Sequence, residues 1–139
     1  MARTVSEVMT VAPATVEAGA PVREAARTMR EGDVGAIVVL DGGDLYGIVT
    51  DRDVAIRLVA EDRDPATTTV GDIASRDPTA IESDRPEEDA VALMRERALR
   101  RLPVVEGGQP VGILTLGDLS VERDPDSALA DISASDPNR

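Results

Sequence analysis

The chain has 139 residues, about the length of one domain, and 42% of them are apolar, with Tyr46 as the single aromatic residue. Its formal charge of −12 comes from 27 acidic and 15 basic residues, all of the latter arginine, and argues against a nucleic-acid partner because phosphate backbones are bound by clustered cations. Without His, Cys or Lys, the chain has no residues for a Ser–His or Cys–His nucleophile, a Schiff base, a disulfide or a zinc–thiolate site.

The hydropathy pattern contains no membrane span and no secretion signal. No segment approaches the roughly 20 apolar residues that cross a bilayer, and the N-terminus lacks the apolar region of a signal peptide. We therefore expect a cytoplasmic protein with no membrane partner. We also expect no catalytic residues, no metal site and no enzymatic activity.

The first part of the chain predicts a short opening segment and a helix. Residues 5–9 precede Pro13 and an extended piece at residues 15–16. Pro21 follows, at a place where the first turn of a helix tolerates proline. The apolar residues after it recur at the helical spacing i, i+3, i+4 and i+7, and they are Val22, Ala25, Ala26 and Met29.

Two strands and a second helix are predicted next. Residues 36–40 form a continuous run of apolar, mostly branched residues, which is typical of a strand buried on both faces. Residues 41–44, Asp-Gly-Gly-Asp, predict a tight turn, and residues 45–50 predict the returning strand. Residues 54–60 predict the helix that leaves this strand.

The second half of the chain repeats the first with an offset of 65 residues. Residues 4–53 align without a gap with residues 69–118, and sixteen of these fifty positions are identical. The equivalent strands are predicted at 102–105 and 111–115, followed by a shorter helix at 119–121.

The duplication predicts one module with internal twofold symmetry, because a solenoid needs at least three copies. We divide the chain into a first repeat with its connector (residues 1–64), a second repeat (residues 65–122) and an acidic tail (residues 123–139).

Each returning strand ends in a Thr that is followed three residues later by an Asp: Thr50 and Asp53 in the first repeat, Thr115 and Asp118 in the second. This spacing is typical of a capping box, in which both side chains satisfy backbone N–H groups at a helix start. The same arrangement also suits a nucleotide. The hydroxyl can bind a phosphate at the helix N-terminus, while the carboxylate accepts hydrogen bonds from both ribose hydroxyls. The spacing alone leaves both interpretations open.

Two arginines favour the nucleotide interpretation in the second repeat. Arg100 and Arg101 immediately precede the buried strand, and a guanidinium group at that place could bind a phosphate at a neighbouring junction.

Taken together, these elements make the span from Val5 to about Val121 resemble a tandem pair of cystathionine-β-synthase (CBS) domains, often called a Bateman module. The resemblance rests on the opening segment, the proline-initiated helix, the strand at 102–105, and the strand end at 47–53 with its counterpart at 112–118. It implies an α+β fold, in which two β-α-β-β-α repeats pack about a pseudo-twofold axis.

The resemblance also implies ligands that contain adenosine, namely AMP, ADP, ATP or S-adenosylmethionine, bound in clefts between the repeats with no cofactor required. Asp53 and Asp118 would hold ribose hydroxyls, and Thr50 and Thr115 would hold phosphate. The cleft beside Thr115 and Asp118 would further comprise Arg100, Arg101, Met9, Ala12, Ala14, Val34 and Gly35. The cleft beside Thr50 and Asp53 would comprise Ala74, Asp77, Thr79, Leu99, Arg100, Gly35 and Ala36.

The two implied clefts differ in charge. The cleft beside Thr50 has Gly35 and Ala36 in place of the arginine pair and Asp77 in place of Ala12, although Arg52 offsets part of this difference. We therefore expect the cleft beside Thr115 to bind a phosphorylated ligand more tightly.

The implied role is a free-standing regulatory module that senses the ligand and acts on a separate protein. Helix faces that include Ala25, Met29, Ile56 and Val59 are expected to pair in a homodimer. The alternative is a ligand-free dimerising adaptor or structural protein, in which both threonines are ordinary caps.

The acidic, lysine-free composition has two explanations, a GC-rich genome or adaptation to a high-salt cytosol. If the second explanation holds, the melting temperature should rise between dilute buffer and about 1 M KCl, because salt screens the repulsion within the net negative charge. Scanning calorimetry measures this shift. A melting temperature that stays constant or falls would leave genome composition as the explanation.

Overall fold

The computed structural model of the chain describes residues 3–11, 14–77 and 79–123, with side chains as far as residue 119. Its elements are, in chain order, α1 (Val5–Val8), β1 (Thr10–Val11), β2 (Thr15–Glu17), α2 (Val22–Gly32), β3 (Ala36–Asp41), β4 (Asp44–Thr50), α3 (Asp51–Asp53), a π-helical segment (Val54–Val59), α4 (Val70–Ile73), β5 (Ile81–Glu82), α5 (Glu87–Arg97), β6 (Arg101–Glu106), β7 (Gln109–Thr115) and α6 (Leu116–Arg123). The fold is α+β with two repeats, as predicted.

The chain forms two compact units, and only one of them is continuous in sequence. The continuous unit contains residues 14–77, whereas the split unit combines residues 3–11 with residues 79–123. Each unit therefore contains the body of one repeat and the opening segment of the other. The boundary between residues 64 and 65 separates the two sequence repeats, whereas each compact unit contains residues from both repeats.

The split unit contains a four-stranded sheet in the order β1-β7-β6-β5. Strands β5 and β6 are parallel, and the other two pairs are antiparallel. Backbone hydrogen bonds from Val5 N to Arg85 O (2.8 Å) and from Glu87 N to Arg3 O (2.8 Å) attach the opening segment to the start of α5. The buried core consists of Val5, Ile81, Ala90, Met94, Leu102, Val104, Leu114 and Leu119.

The continuous unit contains the three-stranded sheet β2-β3-β4, with β2 and β3 parallel and β3 and β4 antiparallel. Ser75 forms an isolated antiparallel bridge to Ile48, at the place equivalent to the pairing of Thr10 with Ile113 in the split unit. Ile37, Val38 and Val39 of β3 are fully buried, which confirms the predicted buried strand. The core also includes Val16, Val22, Ala25, Met29, Val49, Leu58, Val70, Ile73 and Ala74.

The tight turns between the hairpin strands are confirmed in both units. Gly42 and Gly43 have φ values of 60° and 91°, and Gly107 and Gly108 have values of 58° and 83°. Two consecutive residues with positive φ give the two-residue hairpin turn whose twist matches that of the strands, and glycine adopts this conformation without steric strain.

The predicted dimer face is wrong for two of its four residues. Ala25 and Met29 are buried in the core of the continuous unit, because the apolar face of α2 packs on its own sheet. Ile56 and Val59 are 50% and 65% exposed. Helical spacing identified the apolar face correctly, but it did not identify what covers that face.

The helices after the returning strands begin earlier than predicted. The helix predicted at 54–60 begins with α3 at Asp51 and continues as the π-helical segment, where Ala60 N donates to Ala55 O at 3.0 Å. The helix predicted at 119–121 is α6, which begins at Leu116. In both cases the preceding threonine caps the first turn. Most of the predicted acidic tail, residues 124–139, lies outside the described residues.

Ala98, which ends α5, has a left-handed conformation with φ 55° and ψ 44°. An L-residue with a Cβ pays a steric penalty in this region that glycine does not. We expect Ala98→Gly to increase the free energy of unfolding by about 1 kcal/mol in a urea titration. Ala92→Gly, at an exposed position inside the same helix, should decrease it by about 1 kcal/mol. Equal losses in the two variants would contradict the strain at Ala98.

Candidate functional site

Each returning strand ends at a strand-to-helix junction, and both junctions are capping boxes. At the first junction, Asp53 N donates to Thr50 Oγ1 at 3.1 Å, and Thr50 N donates to Asp53 Oδ2 at 2.9 Å. At the second junction, Asp118 N donates to Thr115 Oγ1 at 3.0 Å, and Thr115 N donates to Asp118 Oδ2 at 2.9 Å. The capping interpretation of the motif is therefore confirmed.

Capping does not exclude ligand binding at these residues. A threonine hydroxyl has one hydrogen to donate and two acceptor lone pairs, and in both caps it accepts from the backbone N–H of the aspartate. A carboxylate has two oxygens, and the cap uses only Oδ2. The hydroxyl hydrogen and the second carboxylate oxygen decide whether a junction can also bind a ligand.

At the second junction the hydrogen bond from Thr115 N uses Oδ2 of Asp118. Among the side chains that the structure describes, which end at residue 119 on this helix, no cation pairs with the carboxylate. Burial raises the pKa of Asp118, and its hydrogen bonds to the backbone and hydroxyl of Thr115 oppose that effect. A half-buried carboxylate with no cation partner gains more from a new hydrogen-bond donor than a fully solvated one does.

Two other capping acids show the opposite pKa direction. The backbone N–H of Thr4 lowers the pKa of Glu7, and the hydroxyl of Thr69 lowers the pKa of Asp72. Both acids are at the start of an opening-segment helix and are exposed to solvent. The Thr–acid cap therefore occurs twice in each repeat, and burial distinguishes Asp118 from the solvated examples.

Cations lie next to Thr115 at the second junction. Arg101 is directly opposite Thr115 in the antiparallel pairing of β6 and β7, so the two side chains share one face of the sheet. Arg100 precedes it, and its carbonyl oxygen accepts from Leu116 N at 2.9 Å. Both arginines are exposed, and within the described part of the chain neither forms an ion pair. The junction thus offers a hydroxyl, a carboxylate oxygen and two guanidinium groups.

The first junction has the same backbone and different side chains. Ala36 is opposite Thr50, and Asp51 N donates to Gly35 O at 2.9 Å. The Asp51 carboxylate lies over Gly35, with Oδ2 3.0 Å from the place where a Cβ would be. No cation lies opposite Thr50 on the neighbouring strand, and an anion covers the position equivalent to Arg100.

Asp53 differs from Asp118 because its second oxygen has a partner. Arg57 Nε is 3.9 Å from Asp53 Oδ1, and Arg57 Nη1 donates to the carbonyl oxygen of Ile73 at 3.0 Å. The Asp53 side chain is only 13% exposed. Both carboxylate oxygens of Asp53 are therefore in contact with groups of the protein itself.

The opening segments reach the junctions through close contacts at glycine. A Cβ on Gly112 would be 2.7 Å from Thr10 O and 2.5 Å from Met9 Sδ. A Cβ on Gly47 would collide with Ser75 O and be 2.9 Å from Asp77 N. Glycine at these two positions lets the opening segment of the other repeat lie against β7 and β4.

The predicted site residues are distributed over both units. The split unit contains Met9, Thr79, Leu99, Arg100, Arg101, Thr115 and Asp118. The continuous unit contains Ala14, Val34, Gly35, Ala36, Thr50, Asp53, Ala74 and Asp77. Ala12 lies outside the described residues. The side chain of Ala74 is buried in the core of its unit, so only its backbone is left to face a ligand.

Sequence reasoning did not identify the roles of Asp51 and Arg57. Each has a detectable signal in the repeat alignment, since Asp51 is aligned with Leu116 and Arg57 with Glu122. The positions at which the two repeats differ in charge, read next to an identical Thr–Asp pair, would have pointed to both residues.

The described residues contain no helix that is long and apolar enough to span a membrane. Within the same residues there is no group of three or more acidic side chains arranged to hold a metal ion.

Comparison with known proteins identifies the repeats. The CBS domain family model matches residues 5–60 and 70–122. The CBS domain-containing protein YhcV of Bacillus subtilis is 40% identical over 133 residues, which are 93% of this chain and 94% of that protein.

Solved structures share the fold. A CBS-domain protein from Burkholderia ambifaria superposes with a TM-score of 0.75 at 32% identity, over 90% of this chain and 96% of that one. The CBS domain pair of protein MJ0100, solved with 5′-methylthioadenosine and S-adenosyl-L-methionine, superposes with a TM-score of 0.76 at 23% identity, over 91% of this chain and all of that one.

The raised pKa of Asp118 predicts a specific dependence of stability on pH. An acid whose folded-state pKa lies above its ordinary value of 3.8 binds more protons in the folded state, so its contribution to stability falls as pH rises through that interval. In urea titrations between about pH 3 and pH 7, the free energy of unfolding of the parent minus that of Asp118→Asn should decrease with rising pH.

Asp72→Asn is the matched control, because the pKa of Asp72 is lowered at an equivalent cap. Its stabilising contribution is present above the ordinary value and is lost as pH falls, so the corresponding difference should increase with rising pH. Parallel curves for the two variants would contradict the contrast between the two caps.

Proposed function

The chain belongs to the CBS domain family as a tandem pair, and from this membership we propose that it is a regulatory module whose second junction binds an adenosine-containing ligand. The observation that carries the proposal is the group of polar side chains at Thr115, Asp118, Arg100 and Arg101, none of which forms an ion pair within the described part of the chain. Each side chain matches one part of a nucleotide.

The ribose would bind at Asp118. A vicinal diol offers two O–H donors to one carboxylate, and the carboxylate keeps acceptor lone pairs beyond those that the cap uses. Hydrogen bonds to a carboxylate are stronger than those between neutral groups, and partial burial of Asp118 strengthens them further. Burial in the folded protein removes water molecules from the Asp118 carboxylate, and the hydroxyls of the diol would take their place as hydrogen-bond donors.

The phosphate would bind at Thr115, Arg100 and Arg101. The Thr115 hydroxyl accepts from Asp118 N, and its hydrogen, which also serves the Asp118 carboxylate, would turn to a phosphate oxygen when a ligand binds. Arg101 lies on the same face of the sheet, and a guanidinium group can pair with two phosphate oxygens at once. Two arginines that form no ion pair with the described side chains favour AMP, ADP or ATP over S-adenosylmethionine, which carries a positively charged sulfonium instead of a phosphate.

Met9 would contribute an apolar surface at the same junction. Its Sδ lies over Gly112 on the strand that ends at Thr115, and the half-buried side chain packs at the edge of the core of this unit. A polarisable thioether is suited to contact with the face of a ring system such as adenine. The similarity to the MJ0100 domain pair, at 23% identity, supports the fold only, so the ligand is argued from the residues of this chain.

The regulatory output would be contact with a separate protein. We propose a homodimer as the working form, with the exposed Ile56 and Val59 as the part of the predicted helix face that is free to pair. Ligand binding would then act on the partner by stabilising one state of the module, because a ligand shifts an equilibrium only by its difference in affinity for two states.

Calorimetric titration with AMP tests this function. Asp118→Ala should weaken binding by about ten- to a hundredfold, because it removes charge-assisted hydrogen bonds worth roughly 1.5–3 kcal/mol. Asp53→Ala removes the equivalent cap at the first junction and should leave the affinity nearly unchanged. The pair separates loss of ligand contacts from loss of a helix cap, which costs about 1 kcal/mol of stability in either variant.

Circular dichroism should show that both variants are folded. Equal losses of AMP affinity in the two variants would contradict the assignment to the second junction. If the parent protein binds none of AMP, ADP and ATP, a ligand-free dimerising adaptor is the better description.

A further inference from the structure

The two junctions have the same Thr–Asp cap and the same backbone hydrogen bond to the residue before the buried strand, so a difference in ligand binding must come from the neighbouring side chains and from the helix that follows. The first helical residue is Asp51 at the first junction and Leu116 at the second. Each donates its backbone N–H to the residue before the buried strand at 2.9 Å, to Gly35 and Arg100 respectively. The side chains of Asp51 and Leu116 therefore occupy equivalent positions relative to this hydrogen-bonded backbone.

The carboxylate of Asp51 lies where a bound phosphate would need a cation. It lies over Gly35, which is aligned with Arg100, and its Oδ1 accepts from Arg52 N at 2.8 Å. Where the second junction presents a guanidinium group, the first presents an anion. A phosphate bound to Thr50 would lie next to this carboxylate, which has the same sign of charge. The repulsion between two such charges is several-fold stronger near a protein surface than in bulk water.

Arg52 does not reverse this difference. It is an exposed residue between two acids in the sequence, Asp51 and Asp53. Arg52 supplies one cation whose charge is offset by that of Asp51, whereas the second junction has two arginines and an uncharged leucine at the position of Asp51.

Arg57 lies beside the carboxylate oxygen of Asp53 that a ribose would need. Its guanidinium group reaches Asp53 Oδ1, the oxygen equivalent to Oδ1 of Asp118, and is fixed there by its hydrogen bond to Ile73 O. A ribose diol at Asp53 would have to displace this cation and leave the Ile73 carbonyl without its donor. The aligned residue in the second repeat is Glu122, which cannot supply a cation.

We propose that Asp51 and Arg57 close the first junction to phosphorylated adenosine, so that each chain has one nucleotide site. Asp51 repels the phosphate and Arg57 competes with the ribose for Asp53. This inference rests on the proposed function of the second junction and identifies the residues that restrict the ligand to it. The first junction is then a structural joint, in which Arg57 connects the π-helical segment to the end of α4.

Transferring the Asp51 side chain to the second junction tests the repulsion. Leu116→Asp should weaken AMP binding by about tenfold or more in calorimetric titration, whereas the uncharged and nearly isosteric Leu116→Asn should stay within about twofold of the parent. Leu116 is 50% exposed, and an acid at the first position of a helix is electrostatically favourable, so the aspartate variant should fold. Equal affinities of the Asp and Asn variants would overturn the proposal.

The converse exchange should open the first junction. The quadruple variant Gly35→Arg, Ala36→Arg, Asp51→Leu and Arg57→Glu reproduces the second-repeat residues at these four positions, and it should bind two equivalents of AMP where the parent binds one. A folded quadruple variant that binds one equivalent would overturn the proposal, and so would a parent protein that binds two equivalents with equal affinity. No AMP binding by the parent would instead contradict the proposed function itself.

Discussion

The packing of each opening segment against the other repeat depends on the absence of a side chain at Gly47 and Gly112. At each position the backbone of the other repeat's opening segment approaches so closely that a Cβ would collide with a carbonyl oxygen, Ser75 O at Gly47 and Thr10 O at Gly112. The opening segments carry fully buried residues into the cores, among them Val5 and Val70. Each such side chain contributes about 1.5–3 kcal/mol through burial, so the exchange of opening segments is a main source of stability for both units.

One sequence motif has different electrostatic consequences at different places in the fold. The Thr–acid cap occurs twice in each repeat, and its hydrogen bonds lower the pKa of the acid where the acid is solvated. At Asp118 the same hydrogen bonds are outweighed by burial. At Asp53 the second carboxylate oxygen is paired with Arg57. The motif therefore specifies a helix start, and the surroundings of the acid specify whether it can serve a ligand.

The sequence was most informative where local geometry decides the structure. The branched apolar run of β3, the Gly-Gly turns and the proline before α2 were predicted because each depends on residues close together in the chain. The family resemblance placed Met9 beside Thr115, but the residue patterns alone did not predict the exchange of opening segments, because the pairing of Thr10 with Ile113 depends on contacts far apart in sequence. Helical periodicity placed Ala25 and Met29 on one face, but only the folded unit shows that this face covers its own sheet.

The same distinction between local and long-range geometry applies to the candidate site. The Thr–Asp pairs and the arginine pair were evident from the repeat alignment, and their hydrogen bonds and register follow from the predicted strand-to-helix junctions. The contact between Arg57 and Asp53 requires a helical turn whose exact path includes a π-helical segment, so spacing rules based on the α-helix do not anticipate it.

The exchange of opening segments also separates the two units in time during synthesis on the ribosome. The continuous unit is complete once residue 77 has emerged, so it can fold while the rest of the chain is still being made. The split unit contains β1, which must wait for β7, roughly 100 residues later in the chain, or about 5–20 s at typical rates of translation. Until then β1 lacks the strand with which it pairs in the folded protein, and this is the stage at which a chaperone or a neighbouring nascent chain would encounter it.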